Sequence, residues 1–308
     1  MKMKHMSRLI TEIAGLTLRN PTMLASGVLG TTADILWRAA KSGAGAVVTK
    51  SVGLKPRSGY PNPVIVQVKY GIINAIGLPN PGIYKFIDEI KDLEKLEVPV
   101  IVSIYGFTPE EYAEVAYKAA CAGAEAIELN LSCPHIKGSG SDIGSDPNLV
   151  FEVVKAVKER VSKPVFAKLT PNVKDIVDLA DAAIRAGADA LTVINTVKAM
   201  AINIETARPI LSNKIGGLSG PAIKPIAVRC VYEIYRSLKI PIIGCGGIET
   251  WKDAVEFLLA GASAVQIGTA IAFKGFDVFK TVSAGINRYL ERNGYGSVKE
   301  IVGLSHKC

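Results

Sequence analysis

Gly187-Ala188-Asp189-Ala190-Leu191 is one of four stretches in which a glycine and two alanines lead into an apolar run. The other three are Gly43-Ala44-Gly45-Ala46-Val47-Val48, Gly123-Ala124-Glu125-Ala126-Ile127 and Gly261-Ala262-Ser263-Ala264-Val265. A glycine there is typical of the residue that follows a helix, because it adopts positive φ angles at little cost. Alanine allows close contact between a helix and a strand, and a continuous apolar run is typical of a strand covered on both faces. The pattern therefore predicts buried parallel strands beneath helices.

A second pattern places a proline before an apolar run, in Pro99-Val100-Ile101-Val102, Pro164-Val165-Phe166-Ala167 and Pro241-Ile242-Ile243-Gly244. With residues 21–26 as the first strand, the two patterns predict strands at 21–26, 46–50, 99–104, 126–131, 164–169, 190–195, 241–245 and 264–268. Helical patterns separate most of them, including residues 109–120, 147–161, 173–186, 223–238 and 250–259. This alternation predicts an α/β fold, a (β/α)8 TIM barrel in which residues 1–308 form a single domain. A doubly wound open sheet is the alternative.

Two connections are too long to be simple turns, residues 52–82 and 197–221. Both leave the carboxyl ends of predicted strands, the face at which barrel enzymes hold their active sites. Long connections in compact domains are usually lids or binding elements. At the other end of the barrel, residues 10–19 with Gly15 at the turn predict an N-terminal hairpin in a position to plug it.

The composition argues against several classes of protein. The chain has 308 residues, of which 49% are hydrophobic and 21% charged, and no run approaches the roughly 20 apolar residues of a membrane span. No signal-peptide pattern follows the first lysines, so a cytoplasmic protein is predicted. The cysteines at positions 121, 133, 230, 245 and 308 lack paired spacing, which argues against disulfides, iron–sulfur clusters and a metal site. The net charge of +8 is scattered, which argues against nucleic-acid binding and fits an anionic ligand or an acidic partner.

The carboxyl ends of the predicted strands carry polar side chains and glycines that a packed core does not need. A barrel gathers these ends around one mouth. They are Ser26, Lys50-Ser51, Ser103, Asn130-Leu131-Ser132-Cys133-Pro134-His135, Lys168, Asn195-Thr196, Gly246-Gly247 and Gly268-Thr269. The glycine-containing pairs after the seventh and eighth strands offer bare backbone N–H groups, which predicts a phosphate site there.

Two lysines and a cysteine at the mouth are candidates for cofactor binding and catalysis. Lys50 and Lys168 end apolar strands, where an ammonium group can neutralise a phosphate or stabilise electron-rich atoms of a reduced flavin. The alternative for each is an ordinary surface lysine. Cys133 directly follows a strand, in a loop where a thiol is partly exposed and its pKa is tunable. Cys245, inside the seventh predicted strand, is expected to be buried and inert.

Other chemistries lack their residues in this sequence. There is no Gly-x-Ser-x-Gly motif for a serine hydrolase, too few histidines for a catalytic zinc, and no Gly-x-Gly-x-x-Gly motif for a nicotinamide cofactor. A Schiff-base aldolase that uses Lys168 stays open, because a strand-end lysine near a phosphate site also serves that reaction. A barrel that has become a binding subunit without activity is a further alternative.

Three motifs resemble those of the class 1 dihydroorotate dehydrogenases: Asn130-Leu131-Ser132-Cys133-Pro134, Asn74-Ala75-Ile76-Gly77-Leu78-Pro79-Asn80-Pro81-Gly82 and Ser219-Gly220-Pro221-Ala222-Ile223-Lys224-Pro225. The resemblance runs over nearly the whole chain and is closest to the FMN-binding catalytic subunit of the two-subunit, class 1B type. It implies an enzyme of pyrimidine biosynthesis that oxidises dihydroorotate to orotate. Cys133 would remove the proton from C5, and FMN would accept the hydride from C6.

The resemblance also implies roles for the residues at the matching positions. FMN would contact Ser26, Lys50, Ser51, Ser103, Asn130, Lys168, Ile194, Gly220, Gly246, Gly247, Gly268 and Thr269. The substrate would contact Lys50, Asn74, Ala75, Ile76, Gly77, Leu78, Asn130, His135, Asn195 and Thr196. Cys133 and Lys50 would be catalytic, and no metal is implied. The implied partners are a second copy of the chain in a homodimer and an electron-transfer subunit that carries FAD and an iron–sulfur cluster.

Two positions depart from the family pattern. His135 stands where an asparagine usually contacts the substrate, and Ser103 stands where an asparagine usually contacts the flavin. Cys133-Pro134-His135 is also similar to the pyrimidine-reducing domain of dihydropyrimidine dehydrogenase, so a uracil or thymine reductase stays open. The loop at residues 74–78 favours orotate.

Overall fold

The computed structural model describes residues 8–27, 29–131 and 143–307. Eight parallel strands close into a barrel in which each strand pairs with the next and the last pairs with the first. In order they are β3 (Thr22–Leu24), β4 (Ala46–Val48), β7 (Val100–Ile104), β8 (Ala126–Asn130), β9 (Val165–Leu169), β10 (Ala190–Val193), β15 (Ile242–Cys245) and β16 (Ala264–Ile267). The predicted (β/α)8 barrel is confirmed, and the open-sheet alternative is wrong.

Helices cover the outside of the barrel. They are α1 (Ala33–Lys41), α2 (Ile83–Lys91), α3 (Pro109–Cys121), α4 (Pro147–Arg160), α5 (Ile176–Arg185), α6 (Lys224–Ser237), α7 (Trp251–Ala260), α8 (Ala270–Lys274) and α9 (Val278–Arg292). Side-chain caps fix several helix starts: Thr108 accepts a hydrogen bond from the Glu111 N–H, and Thr250 with Asp253 forms a capping box. None of the helices within the described residues has both the length and the apolar character needed to cross a membrane.

A short hairpin closes the amino-terminal end of the barrel. Its strands are β1 (Thr11–Ile13) and β2 (Leu16–Leu18), and Gly15 has a φ of 84° in the turn between them. Ile13 and Leu18 pack into an apolar cluster with barrel-interior side chains that include Phe166. The predicted plug is confirmed, because the hairpin side chains fill the barrel interior from this end.

The two long connections form a second sheet, where the sequence predicted only lids or binding loops. Its strands are β5 (Ile65–Val68), β6 (Gly71–Asn74), β11 (Val197–Met200) and β14 (Ile215–Ser219), and they pair antiparallel in the order β11, β14, β6, β5. A separate pair of short strands, β12 (Ile202–Asn203) and β13 (Arg208–Pro209), lies within the second connection. The four-stranded sheet supplies one wall of the cavity at the barrel mouth.

Candidate active site

A cavity of about 610 Å³ lies between the carboxyl ends of the barrel strands and the four-stranded sheet. This volume is in the range of pockets that enclose cofactors and small ligands. The predicted site residues that line it are Ser26, Lys50, Ser51, Asn74, Ala75, Ile76, Gly77, Leu78, Asn130, Lys168, Ile194, Asn195, Thr196, Gly220, Gly246, Gly247, Gly268 and Thr269. Cys133 and His135 lie outside the described residues. The structure thus brings together side chains that are up to about 240 positions apart in the sequence, because each one follows a barrel strand or lies in the covering sheet.

Ser103 is placed differently from the other residues predicted to contact the cofactor. It is fully buried in β7 and is not part of the cavity lining in the described region. Its hydroxyl is 2.9 Å from that of Ser51, which in turn is 3.3 Å from that of Ser26. An influence of Ser103 on a ligand would therefore pass through Ser51, and its predicted direct contact with the flavin stays a prediction.

Side-chain amides form a connected row across the mouth. Asn130 donates through Nδ2 to the Ser51 hydroxyl at 3.1 Å and accepts at Oδ1 from Asn195 Nδ2 at 3.2 Å. Asn195 Oδ1 accepts from the Thr196 backbone N–H at 2.8 Å. Because an amide offers two N–H donors and two lone pairs on its oxygen, Asn130 and Asn195 each keep one donor and one acceptor for a ligand. Asn74 adds a third amide, since its Nδ2 donates to the Gly217 carbonyl at 3.3 Å.

Lys50 places an ammonium group in the same wall. It is 7% exposed, although β4 ends two residues before it. Burial lowers the pKa of Lys50 to about 8 from the usual value of 10.5. Desolvation disfavours the charged form, and an anion bound beside Lys50 would restore it. The residue is therefore suited to a carboxylate or phosphate ligand.

Lys168, at the opposite side of the barrel interior, is paired instead of free. Its ammonium group donates to Gln266 Oε1 at 3.0 Å and lies 3.5 Å from Glu128 Oε1. Burial lowers the pKa of Lys168, but its interactions with Glu128 and Cys245 oppose this effect and the net shift is upward. Lys168 therefore presents a fixed positive charge to the cavity.

Glycines bring bare backbone to the other end of the cavity. Gly220, Gly246 and Gly247 have φ angles of 100°, 130° and 73°, a region that favours glycine. A Cβ atom at Gly247 would stand 2.8 Å from the Gly220 carbonyl oxygen, so these segments also pack too closely for a side chain. Among the described residues, no backbone acceptor is found for the N–H groups of Gly246, Gly247 and Gly268. Free N–H groups gathered in this way suit the oxygens of a phosphate.

The loop at residues 74–78 is held in place by Asn80. Its Nδ2 donates to the Leu78 carbonyl at 2.9 Å and to the Tyr105 hydroxyl at 2.7 Å. Its Oδ1 accepts from the N–H groups of Gly82 at 2.9 Å and Gly53 at 3.2 Å. One side chain thus ties the loop both to itself and to the barrel.

Several residues of the site were not identified from the sequence. Glu128 and Gln266 are polar residues inside otherwise apolar strands, and this position in the sequence is the signal of a buried polar cluster. Asn80 belongs to a recognised motif but had no assigned role. Cys245 corrects an expectation: it is half-buried and lines the cavity instead of lying in the core. Burial raises the pKa of its thiol, so Cys245 stays protonated at neutral pH.

Comparison with known proteins gives the family. Residues 8–290 match the family model described as dihydroorotate dehydrogenase. A protein of Pyrococcus abyssi named "Dihydroorotate dehydrogenase B (NAD(+)), catalytic subunit" is 60% identical over 296 residues, which cover 96% of this chain and 98% of that protein. A protein of Methanothermobacter thermautotrophicus with the same name is 55% identical over 298 residues, or 96% of this chain and 98% of that protein.

A solved structure is also similar over most of its length. The crystal structure of DHODH from Eimeria tenella in complex with ferulenol has a TM-score of 0.85 and 25% sequence identity, and the match covers 97% of this chain and 89% of that one. The shared barrel, the matching family model and the two archaeal relatives agree with the cavity described above. This chain belongs to the dihydroorotate dehydrogenase family.

Proposed function

We propose that this chain oxidises dihydroorotate to orotate with FMN bound in the cavity at the barrel mouth. The observation that carries the proposal is the arrangement of one cavity: free glycine N–H groups at one end, and Lys50 with three asparagine amides at the other. The first set suits the phosphate of a flavin mononucleotide, and the second suits an anionic pyrimidine.

The described residues fit FMN. The backbone around Gly246, Gly247 and Gly268 offers donors to a phosphate, and Thr269 contributes a hydroxyl that donates to Ser219 at 2.8 Å. Lys168 offers a fixed positive charge that stabilises an electron-rich ring. A bound flavin would supply the acceptor for the hydride from C6 of dihydroorotate.

The substrate end of the cavity fits a pyrimidine carboxylate. Lys50 would pair with the carboxylate, and that contact would favour its charged form. The unused donors and acceptors of Asn74, Asn130 and Asn195 would bind the alternating C=O and N–H groups of the ring. The loop at residues 74–78, anchored by Asn80, would enclose the ring from the side of the covering sheet.

We assign the removal of the C5 proton to Cys133 on its sequence position. Cys133 follows Asn130, the last residue of β8, by three positions in the sequence, and Asn130 lines the cavity. A thiolate is a competent base for a proton next to a carbonyl group.

The geometry of Lys168 disfavours the aldolase alternative. A Schiff base requires a neutral amine, which an enzyme obtains by lowering the pKa of its lysine. The pKa of Lys168 is raised, because Glu128 opposes the effect of burial. A uracil or thymine reductase remains the second candidate, since it shares Cys133-Pro134-His135, and the choice depends on the substrate that reduces the flavin.

The names of the relatives support a partner. They are catalytic subunits of an enzyme that uses NAD⁺, so we propose that this chain passes electrons to a second subunit, with FAD and an iron–sulfur cluster as its carriers. We also propose a homodimer of the catalytic chain, one domain per chain, and a cytoplasmic location. These are inferences from the family resemblance and the sequence.

The assignment of the base can be tested by rapid mixing of the anaerobic FMN-loaded protein with dihydroorotate. Cys133→Ser is expected to slow the loss of the flavin absorption by about 10²- to 10⁴-fold, the usual contribution of a general base, while orotate binding is retained. Cys121→Ser, at an exposed position of α3, is the matched control and should react like the wild type. Reduction of Cys133→Ser at the wild-type rate would exclude Cys133 as the base.

A further inference from the structure

Glu128 is a buried carboxylate that the proposed reaction leaves without a role. It lies inside β8 and is 0% exposed. Its Oε2 accepts from Gln266 Nε2 at 2.6 Å and from Thr192 Oγ1 at 3.0 Å, and its Oε1 is 3.5 Å from Lys168 Nζ. The four side chains come from β8, β9, β10 and β16, so the cluster crosses the barrel interior just below the cavity.

The hydrogen bonds of this cluster fix the orientation of the Lys168 ammonium group. Gln266 contacts both charged partners, because it donates to Glu128 through Nε2 and accepts from Lys168 through Oε1 at 3.0 Å. Lys168 and Gln266 line the cavity, and Glu128 lies behind them, sealed from it. The ammonium group therefore faces a ligand, while the carboxylate stays behind it at a fixed distance.

Packing does not explain a carboxylate at this position. A buried ion pair is often no more stabilising than apolar residues of similar volume, and the lower part of the same barrel is filled with apolar side chains such as Phe166 and Ile101. Among the residues that the structure describes, few charged groups act on Lys168. Glu128 and the Cys245 thiol act on its pKa, Cys245 is protonated at neutral pH because burial raises its own pKa, and Lys50 is a second cation in the same cavity.

We propose that Glu128 is a positioning residue that keeps the Lys168 ammonium group charged and aimed at the bound flavin, and that its own charge offsets that of Lys168 and so sets the flavin reduction potential. The proposal deepens the function proposed above, because it requires a flavin in this cavity. With the pair intact, the charges of Glu128 and Lys168 sum to zero, and this sum does not change with pH while both groups stay charged.

The variant Glu128→Gln separates the effect of the Glu128 charge on the flavin potential from the effect of the Lys168 charge. It keeps an acceptor of similar size but removes the negative charge, so at low pH Lys168 faces the flavin with an uncompensated positive charge. Reduced flavin gains negative charge, so the potential should rise above that of the wild type. Burial then acts on Lys168 without the opposing carboxylate, and its pKa falls. As the pH rises, Lys168 loses its proton and the difference from the wild type should vanish.

The experiment is a measurement of the two-electron potential of the FMN-loaded protein between pH 6 and pH 9. At pH 6 we expect the reduction potential of Glu128→Gln to be at least about 30 mV above that of the wild type, which is a tenfold change in the equilibrium for reduction. This difference in potential should close by pH 9. Thr192→Val, which removes one hydrogen bond to Glu128 and no charge, should track the wild type. In the double variant Glu128→Gln/Lys168→Met, the difference in potential from the wild type should not close as the pH rises.

A difference between Glu128→Gln and the wild type that is absent or negative at pH 6, or that stays constant from pH 6 to pH 9, would overturn the proposal. If Glu128→Gln does not fold, urea unfolding of Lys168→Met and of the double variant tests the charge coupling between Glu128 and Lys168 that the proposal requires. The double variant should be more stable than Lys168→Met, because the single change leaves Glu128 without its cation; equal stability would overturn the coupling. A protein that binds no flavin would refute the proposed function itself, and flavin binding with the wrong potentials would refute only the role of Glu128.

Discussion

Lys50 is a buried cation whose charge depends on pH near the working range of the enzyme. Its pKa of about 8 means that the free enzyme loses the ammonium charge above that pH. Because dihydroorotate and orotate are anions, binding above pH 8 must take up a proton, and affinity should fall by up to about tenfold per pH unit. We predict that the Kd of orotate, followed by the flavin spectrum, is constant from pH 6.5 to 7.5 and rises from pH 8 to 9.

The control for this prediction is Lys50→Met. It should bind orotate more weakly than the wild type at pH 7, and its affinity should not change between pH 7 and pH 9. If the wild type shows the same flat profile, Lys50 does not bind the carboxylate.

At the residue scale, the sequence predicts positions better than it predicts contacts. Strand ends place Lys50, Asn130 and Lys168 at the mouth, because a barrel collects these ends by its topology. Sequence alone does not show that Lys168 is paired with Glu128, since that contact joins two different strands across the interior. Cys245 was misjudged for the same reason: its strand ends at the cavity, and its side chain points there instead of into the core.

At the element scale, the loop at residues 74–78 depends on Asn80. Replacing Asn80 with alanine removes hydrogen bonds to Tyr105, Leu78, Gly82 and Gly53. We predict that Asn80→Ala raises the KM for dihydroorotate by about tenfold or more, since a loss of about 1.4 kcal/mol is a tenfold change in binding. FMN content should stay unchanged, because the loop lies at the substrate end. Steady-state kinetics with an artificial electron acceptor measures this KM. An unchanged KM would show that Asn80 does not hold the loop for substrate binding.

The plug hairpin stabilises the barrel from the end opposite to the chemistry. Ile13 is 1% exposed and packs against the barrel interior. Ile13→Ala is expected to lower the free energy of unfolding by about 2 to 5 kcal/mol, as a buried truncation with a residual cavity does. Glu12→Ala, on the exposed face of the same strand, should change it by less than about 0.5 kcal/mol.

Urea unfolding measures the stability of Ile13→Ala and Glu12→Ala. The flavin reduction rate of the same variants tests whether the hairpin end of the barrel is independent of the active-site end. A large loss of reduction rate in folded Ile13→Ala would contradict a purely structural role for the hairpin.

Elements buried on both faces were predictable, and the covering sheet was not. Barrel strands such as β4 are continuous apolar runs that follow a helix stop or a proline. In the covering sheet, β14 contains Gly216 and Gly217, which weaken any strand pattern. Glycine is needed there, because a Cβ at Gly217 would overlap the Thr196 side chain at 2.1 Å. Tertiary contact with the barrel, and not local preference, forms this sheet.

At the scale of the whole molecule, the proposed electron path ends outside this chain. The sequence contains no nicotinamide motif and no paired cysteines for an iron–sulfur cluster. We predict that the isolated chain, once reduced by dihydroorotate, is not reoxidised by NAD⁺ at a rate that matters for turnover, whereas a soluble dye reoxidises it. Rapid reoxidation by NAD⁺ alone, followed by the return of the flavin absorption, would contradict the need for a partner subunit.

The measurement that tests the central claim most directly is an anaerobic titration of the purified FMN-loaded chain with dihydroorotate, read from the flavin absorption band. We predict that the band is lost at one equivalent of dihydroorotate per flavin and that orotate is formed in the same amount. A protein without flavin, or a flavin that dihydroorotate leaves oxidised while dihydrouracil or dihydrothymine reduces it, would contradict the account.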